Sequence, residues 1–227
     1  MKYKRILIDI DDTLFDFQAG NRRAVGLLME ELGLASPTVF DEYQAINHAC
    51  WEALDRGEMT QEVLHVERFR RFLAGKNRDD DPKPIADRFA ELLGMQAILF
   101  DHALEVVGEI SKHVPVVVLT NGITVIQKKR MSLSPLKDVI SGMVISQEFG
   151  VSKPDPRIYL HALGDVAPSE ALMVGDSLKS DILGANRAGI DACWYNPHSK
   201  PLPNDVHAEY IIHDLLSLPA IALQGQG

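Results

Sequence analysis

The sequence predicts an α/β protein: a mostly parallel sheet with helices on both faces, plus an inserted all-helical module. Two patterns carry that expectation. Short β-branched apolar runs ending in polar turns recur along the chain and alternate with segments of helical period, as in parallel strands joined by crossover helices. One long early stretch breaks the alternation, with several amphipathic segments and no strand-like run.

In chain order, Arg5 to Ile10 is a compact apolar run that ends among acids, which reads as a buried strand delivering carboxylates at its C-terminal end. From about Phe17 to Leu99 the chain offers helical segments at Gln18 to Leu32, Thr38 to Asp55, Gln61 to Leu73 and Pro84 to Leu93. They are separated by Gly33, Gly57 and the polar run Gly75 to Pro82. Alternation then returns. A helix at Leu104 to His113 leads to a strand at Val114 to Leu119 that ends in Thr120-Asn121-Gly122, and a weaker strand pattern covers Gly142 to Ile145. A helix at Pro156 to Leu163 is followed by a strand at Ala171 to Val174 that meets Gly175-Asp176. A helix at Lys179 to Ala188 precedes a strand at Ala192 to Tyr195. The expected organisation is a Rossmann-like core over 1–16 and 100–227, interrupted by a helical cap over 17–99. In such sheets ligands bind at the carboxyl ends of the strands. All the polar clusters meet there, and an insert leaving directly after the first strand is placed as a lid over them.

Composition excludes more than it assigns. The chain of 227 residues is 46% hydrophobic and 24% charged, an ordinary globular balance. A net charge of -9 argues against a nucleic-acid polymer or an anionic membrane as partner, since both are held by clustered Lys and Arg. A small phosphorylated metabolite stays compatible, because it needs only local donors. Cys50 and Cys193 lie far apart and form no ligand pair, and the first apolar run is interrupted by Asp9, too early for a signal-peptide core or a membrane span. A cytoplasmic location is the expectation.

Four clusters carry the chemistry. Asp9 and Asp11 are two apart, so at an extended strand end they point the same way, roughly 6 to 7 Å apart along the backbone. Converging carboxylates require a cation or a shared proton, and Mg²⁺ takes oxygen ligands. An Asp-x-Asp-x-Thr segment reads equally well as a solvated acidic loop capping a helix. Thr120 and Asn121 close the second strand, where a hydroxyl and free N–H groups make an anion site or a plain helix N-cap. Asp155 and Pro156 are accounted for as N-cap and first helical residue, whereas the preceding Lys153 is not required by capping. Its ammonium suits a phosphoryl group, or it is a solvated surface lysine. Asp176 sits at a strand tip, and Asp181 lies near the next helix start, where the helix dipole alone would favour it.

Taken together and in this order, Asp9-x-Asp11-x-Thr13, Thr120, Lys153 before Pro154, and Gly175-Asp176 with Asp181 resemble the four motifs of the haloacid dehalogenase superfamily. The insert resembles the cap of its first subfamily. The resemblance spans residue 5 to about 195. It implies that Asp9 is the nucleophile, that Asp11 is the general acid and base, and that Thr120, Asn121 and Lys153 hold the phosphoryl group. It further implies Mg²⁺ on Asp9, Asp11 and Asp176, with Asp181 steadying the metal indirectly. A 2-haloacid dehalogenase of the same fold needs no acid at position 11. A receiver-like signalling module expects a lone acceptor Asp on a central strand and no insert. The residues Asp11 to Phe17, with Ile46-Asn47, Trp51, Arg56-Gly57-Glu58 and Arg68-Phe69, are similar to the branch that hydrolyses pyrimidine and non-canonical nucleoside 5'-monophosphates. In that branch Phe17 would stack a base; as a plain hydrophobic residue it would only pack. Small sugar phosphates and phosphoglycolate are the competing substrates.

Overall fold

The computed structural model describes residues 2–225. Six parallel strands form one sheet in the order β3-β2-β1-β4-β5-β6. They are β1 (Arg5–Ile8), β2 (Val116–Thr120), β3 (Gly142–Ile145), β4 (Ala171–Gly175), β5 (Asp191–Tyr195) and β6 (Tyr210–Ile212). The chain moves outward from β1 through β2 to β3, then returns to β4 on the other side of β1. Strand order therefore reverses between β1 and β4, which opens a crevice at their carboxyl ends.

The helices are α1 (Phe17–Glu31), α2 (Val39–Asp55), α3 (Gln61–Gly75), α4 (Pro82–Gly94), α5 (Ala103–Ser111) and α6 (Thr124–Leu133). They continue with α7 (Ser146–Phe149), α8 (Pro156–Leu163), α9 (Leu183–Ala188) and α10 (Leu218–Ala222). None in the described residues is long and apolar enough to cross a membrane.

The chain divides into two compact units. One holds the described residues up to Phe17, Ile98–Thr124 and those from Met131 onward; the other holds Gln18–Ala97 together with Val125–Arg130. In the sheet-bearing unit the four residues of β1 read as a buried strand because its neighbours cover both sides and helices cover both faces. Leu7 packs with Val117, Leu119, Met173 and Trp194 against Ile158, Tyr159 and Leu163 of α8 and Ala185 of α9. Ile6 and Ile8, buried as well, alternate to the opposite face. At roughly 1.5–3 kcal/mol per buried aliphatic side chain, this two-faced burial is what holds the strand tips in place.

The neck of the insert is stitched within this unit. Asp16 N–H donates to Ile98 C=O at 2.9 Å, and Phe100 N–H donates to Leu14 C=O at 2.9 Å, so the departing and returning segments pair.

The helical unit packs around an aromatic cluster. Tyr43, Phe69 and Phe89 lie with ring centroids 5.2 to 5.5 Å apart, and Phe72 meets Tyr43 edge-on at 6.3 Å. Its helices start where the sequence supplies caps. The Thr60 hydroxyl accepts from Val63 N–H, and the Asp81 carboxylate accepts from Lys83 N–H just before Pro82. The expected segment 17–99 did not include Val125–Arg130 of α6, which clusters with this unit. Arg130, fully buried, ties α6 to its interior by donating from Nε to Gln96 C=O at 3.1 Å.

Candidate active site

Asp9 continues the line of β1: its N–H donates to Val174 C=O of β4 at 2.9 Å. At the same level β2 ends in Thr120 and β4 in Gly175, so three strand tips deliver their polar residues together. After Asp9 the chain turns sharply. Asp12 takes a left-handed conformation with φ 57°, and Leu14 and Phe15 both return N–H bonds to Ile10 C=O. The buried Thr13 hydroxyl donates to Asp176 Oδ1 at 3.4 Å, which joins the first and last motifs.

Lys153 is the hub. Its Nζ is buried and donates to Asp9 Oδ1 at 2.6 Å, to Asp181 Oδ1 at 2.6 Å and to Leu119 C=O at 2.8 Å. Burial works against its charge, but Asp181 and Asp9 outweigh it and hold the ammonium protonated, its pKa above the ordinary lysine range. This lysine is a fixed internal cation, not the solvated surface group that its sequence context also allowed. Asn121 places it. The Asn121 amide donates from Nδ2 to Lys153 C=O at 2.9 Å and accepts from Lys153 N–H at 2.9 Å, a two-bond clamp on the lysine backbone. Thr120 is likewise buried, and its Oγ1 accepts from Gly122 N–H at 3.0 Å.

Asp181 reaches Lys153 from an unusual turn. The expected helix from Lys179 begins only at Leu183 and is preceded by a widened π turn, Leu178–Ile182, in which Ile182 N–H bonds back to Ser177 C=O. The extra residue in the turn points Asp181 inward, where it is wholly buried. Its Oδ2 accepts from Ser177 N–H at 3.0 Å, so both carboxylate oxygens are engaged. Gly175 makes room: a Cβ there would collide with the Asp181 carboxylate. On the far side of the same turn, the Tyr159 hydroxyl donates to Ser180 C=O, and its ring fits because Gly184 has no side chain. Trp194 Nε1 donates to Asp176 C=O at 2.9 Å and pins the loop after β4. Thr13 belongs to the first motif, but that spacing does not show its bond to Asp176, and the roles of Tyr159, Ser177 and Trp194 leave no signal in the sequence because their partners lie in the folded turn after β4.

Asp9, Asp176 and Asp181 each offer a carboxylate oxygen within 4.8 Å of the others. Asp11 is not one of the three; it is half-buried and pairs with Phe15 in an isolated bridge. Burial raises the pKa of Asp9 well above the carboxylate range, with Asp181, Asp176 and Asp11 adding to the shift and Lys153 opposing it. Burial, with the charges of Asp181 and Asp12, pushes Asp176 up to about 7. Once ionised, three carboxylates against one ammonium leave two negative charges, and all the donors are hard oxygens. A divalent cation fits such a cluster, held at Asp9 and Asp176 while Asp181, both of whose oxygens are engaged, stays on Lys153. Phe17, the first residue of α1, is half-buried and belongs to the sheet-bearing unit.

A parallel sheet of this order, with an acid trio and an internal lysine gathered at its carboxyl edge, is an arrangement suited to hydrolysis. The haloacid dehalogenase-like hydrolase family model matches residues 3–189, and the chain belongs to that family. Among similar proteins, the pyrimidine 5'-nucleotidase PynA of Streptococcus pneumoniae is 33% identical over 226 residues, covering 95% of this chain and 94% of that one. The pyrimidine 5'-nucleotidase YjjG of Escherichia coli is 30% identical over 223 residues, covering 96% and 97%. The crystal structure of the HAD-hydrolase YfnB from Bacillus subtilis bound to magnesium superposes with a TM-score of 0.88 at 28% identity, covering 98% of this chain and 99% of that one.

Proposed function

We propose that this protein is a Mg²⁺-dependent phosphomonoesterase that hydrolyses nucleoside 5'-monophosphates through an aspartyl-phosphate on Asp9. The observation that carries the reading is the contact of Lys153 Nζ with Asp9 Oδ1 at 2.6 Å. It supports the reading because a carboxylate suited to attack and a fixed cation lie side by side at the carboxyl edge of the sheet, where a phosphoryl group needs both.

In the first step an Asp9 oxygen attacks phosphorus as the ester bond breaks, and Asp11 gives its proton to the leaving oxygen. In the second step Asp11 takes a proton from water, which attacks the acyl phosphate and returns Asp9 and inorganic phosphate. Lys153 and the Thr120 hydroxyl hold the phosphoryl oxygens, and Asn121 acts by keeping Lys153 in position. Bound magnesium supplies charge compensation for those oxygens. Asp9, Asp176 and the Asp11 carbonyl would hold it, and Asp181 supports the site through Lys153 because its own oxygens are engaged.

Asp11 separates this reading from dehalogenation, which releases halide and needs no acid for the leaving group. The nucleotide preference rests on the two nucleotidases to which almost the whole chain is similar. Purified protein is expected to release phosphate from uridine 5'-monophosphate faster than from phosphoglycolate or a hexose phosphate, to stop on chelation, and to stop as Asp9→Asn. Unchanged turnover in Asp9→Asn would overturn the mechanism, and equal, poor rates on all nucleotides would remove the substrate class.

A further inference from the structure

The helical unit contains a cation with no anion. Arg68, on α3, is 3% exposed, and its Nη1 donates to Asn47 Oδ1 at 3.1 Å. Its Nε and Nη2 are buried and have no hydrogen-bond partner. These two atoms form the edge of the guanidinium that takes a carboxylate or phosphate side-on. Elsewhere in the chain the same edge is used in that way: Arg56, Arg70, Arg78, Arg88 and Arg157 each present Nε and Nη2 to one acid.

Among the described residues no carboxylate pairs with Arg68. Glu67, its neighbour on α3, is taken by Arg70 and Arg71. The guanidinium carbon lies 4.9 Å from the Phe89 ring centroid and 5.3 Å from that of Phe69, contacts that ease its burial without supplying a negative charge. The Tyr43 hydroxyl, also buried and with no partner at full hydrogen-bond geometry, is neutral: burial pushes its pKa up to about 12, opposed by the charge of Arg68 and by the contact of the hydroxyl with its guanidinium. Arginine cannot shed its proton to escape the cost of burial, which for an unpaired ion is several kcal/mol. A methionine of similar length would fill the same aromatic box without that cost.

We infer that Nε and Nη2 of Arg68, with the Tyr43 hydroxyl beside them, form a binding site in the helical unit for an oxyanion with two coplanar oxygens, a carboxylate or a phosphoryl group. Two donors in a fixed fork match two oxygens of such a group, and the Tyr43 hydroxyl supplies a third donor. Asn47 fixes the plane of the guanidinium through Nη1. The site does not depend on what the sheet-bearing unit hydrolyses.

The test uses the ¹⁵N-labelled full chain and follows the Arg68 Nε–H resonance, assigned by its loss in Arg68→Met. Titration with inorganic phosphate or with malonate should move this resonance saturably. A response to phosphate alone identifies a phosphoryl ligand, and a response to malonate alone a carboxylate. Arg68→Lys, which keeps the charge and loses the fork, should weaken binding by about tenfold, and it replaces Arg68→Met for assignment if the latter does not fold. Tyr43→Phe should weaken it less. A resonance that neither anion moves, at concentrations that saturate inhibition of phosphate release by inorganic phosphate, overturns the inference.

Discussion

Raising the pH of the metal-free protein from about 5 to about 8 should destabilise it through Asp176. An aspartate in the unfolded chain titrates near 3.8, whereas burial and the neighbouring acids push folded Asp176 up to about 7. Between those values the folded chain keeps a proton that the unfolded chain has lost, so stability falls as pH rises, the reverse of an acid paired in a salt bridge. Above about 7 the penalty is complete. At about 1.4 kcal/mol per pH unit, the two units between about pH 5 and about pH 7 are worth about 2.7 kcal/mol, which for a chain of this size is roughly 5–11 °C in Tm. Asp176 keeps some exposure, so this is an upper figure. A divalent cation reverses the effect by binding the ionised carboxylates, and at a hundredfold excess over Kd it returns about 2.7 kcal/mol. The assay is thermal unfolding across the pH range with chelator or with Mg²⁺, in wild type and Asp176→Asn. The gap between the two chelated proteins should widen in favour of Asp176→Asn as pH rises, and the Mg²⁺-induced rise in Tm should grow with pH in wild type only. A chelated wild type whose stability relative to Asp176→Asn is flat or increases over this range would refute the electrostatic reasoning.

Two further outcomes follow from the packing of the site. Gly175→Ala places a Cβ against the Asp181 carboxylate, so it should cost about 1–3 kcal/mol and lower kcat by at least tenfold, measured by denaturant unfolding and phosphate release; a variant as active as wild type would show that Asp181 need not sit against the tip of β4. Asn121→Ala removes both bonds that hold the Lys153 backbone, and it should lower kcat/KM on every phosphoester tested by a similar factor, about tenfold to a hundredfold. Selective loss on nucleotides would instead assign Asn121 to the leaving group.

The strands that carry the site were legible because each is an apolar run stopped by a charge or a glycine. Gly142–Ile145 and Pro156–Leu163 have the predicted bounds. β6 escaped notice because three residues, Tyr210–Ile212, are too few to show a period, and it becomes a strand only by pairing with β5. Lys179 to Ala188 has an unbroken helical pattern, and no local propensity reveals the π turn that points Asp181 inward; the turn follows from Gly175 and Ser177 on one side and Tyr159 on the other. Within the site, the positions of Asp9, Thr120, Lys153 and Asp176 at strand or loop tips followed from order along the chain. That Asn121 grips the backbone of Lys153, and that Asp181 shares its ammonium with Asp9, are contacts across 32 and 28 residues, which no spacing rule reports.

The paired segments at the neck, Asp16 with Ile98 and Leu14 with Phe100, have a consequence for how such a protein can change over generations. The sheet closes its own hydrogen bonds before the chain departs for the insert. Between two ends already held side by side, lengthening or rewriting the excursion adds little loop-closure entropy. Sheet and insert can therefore be inherited as separable traits, and the helical segment can drift or be exchanged while the carboxylates at the strand tips stay where they are.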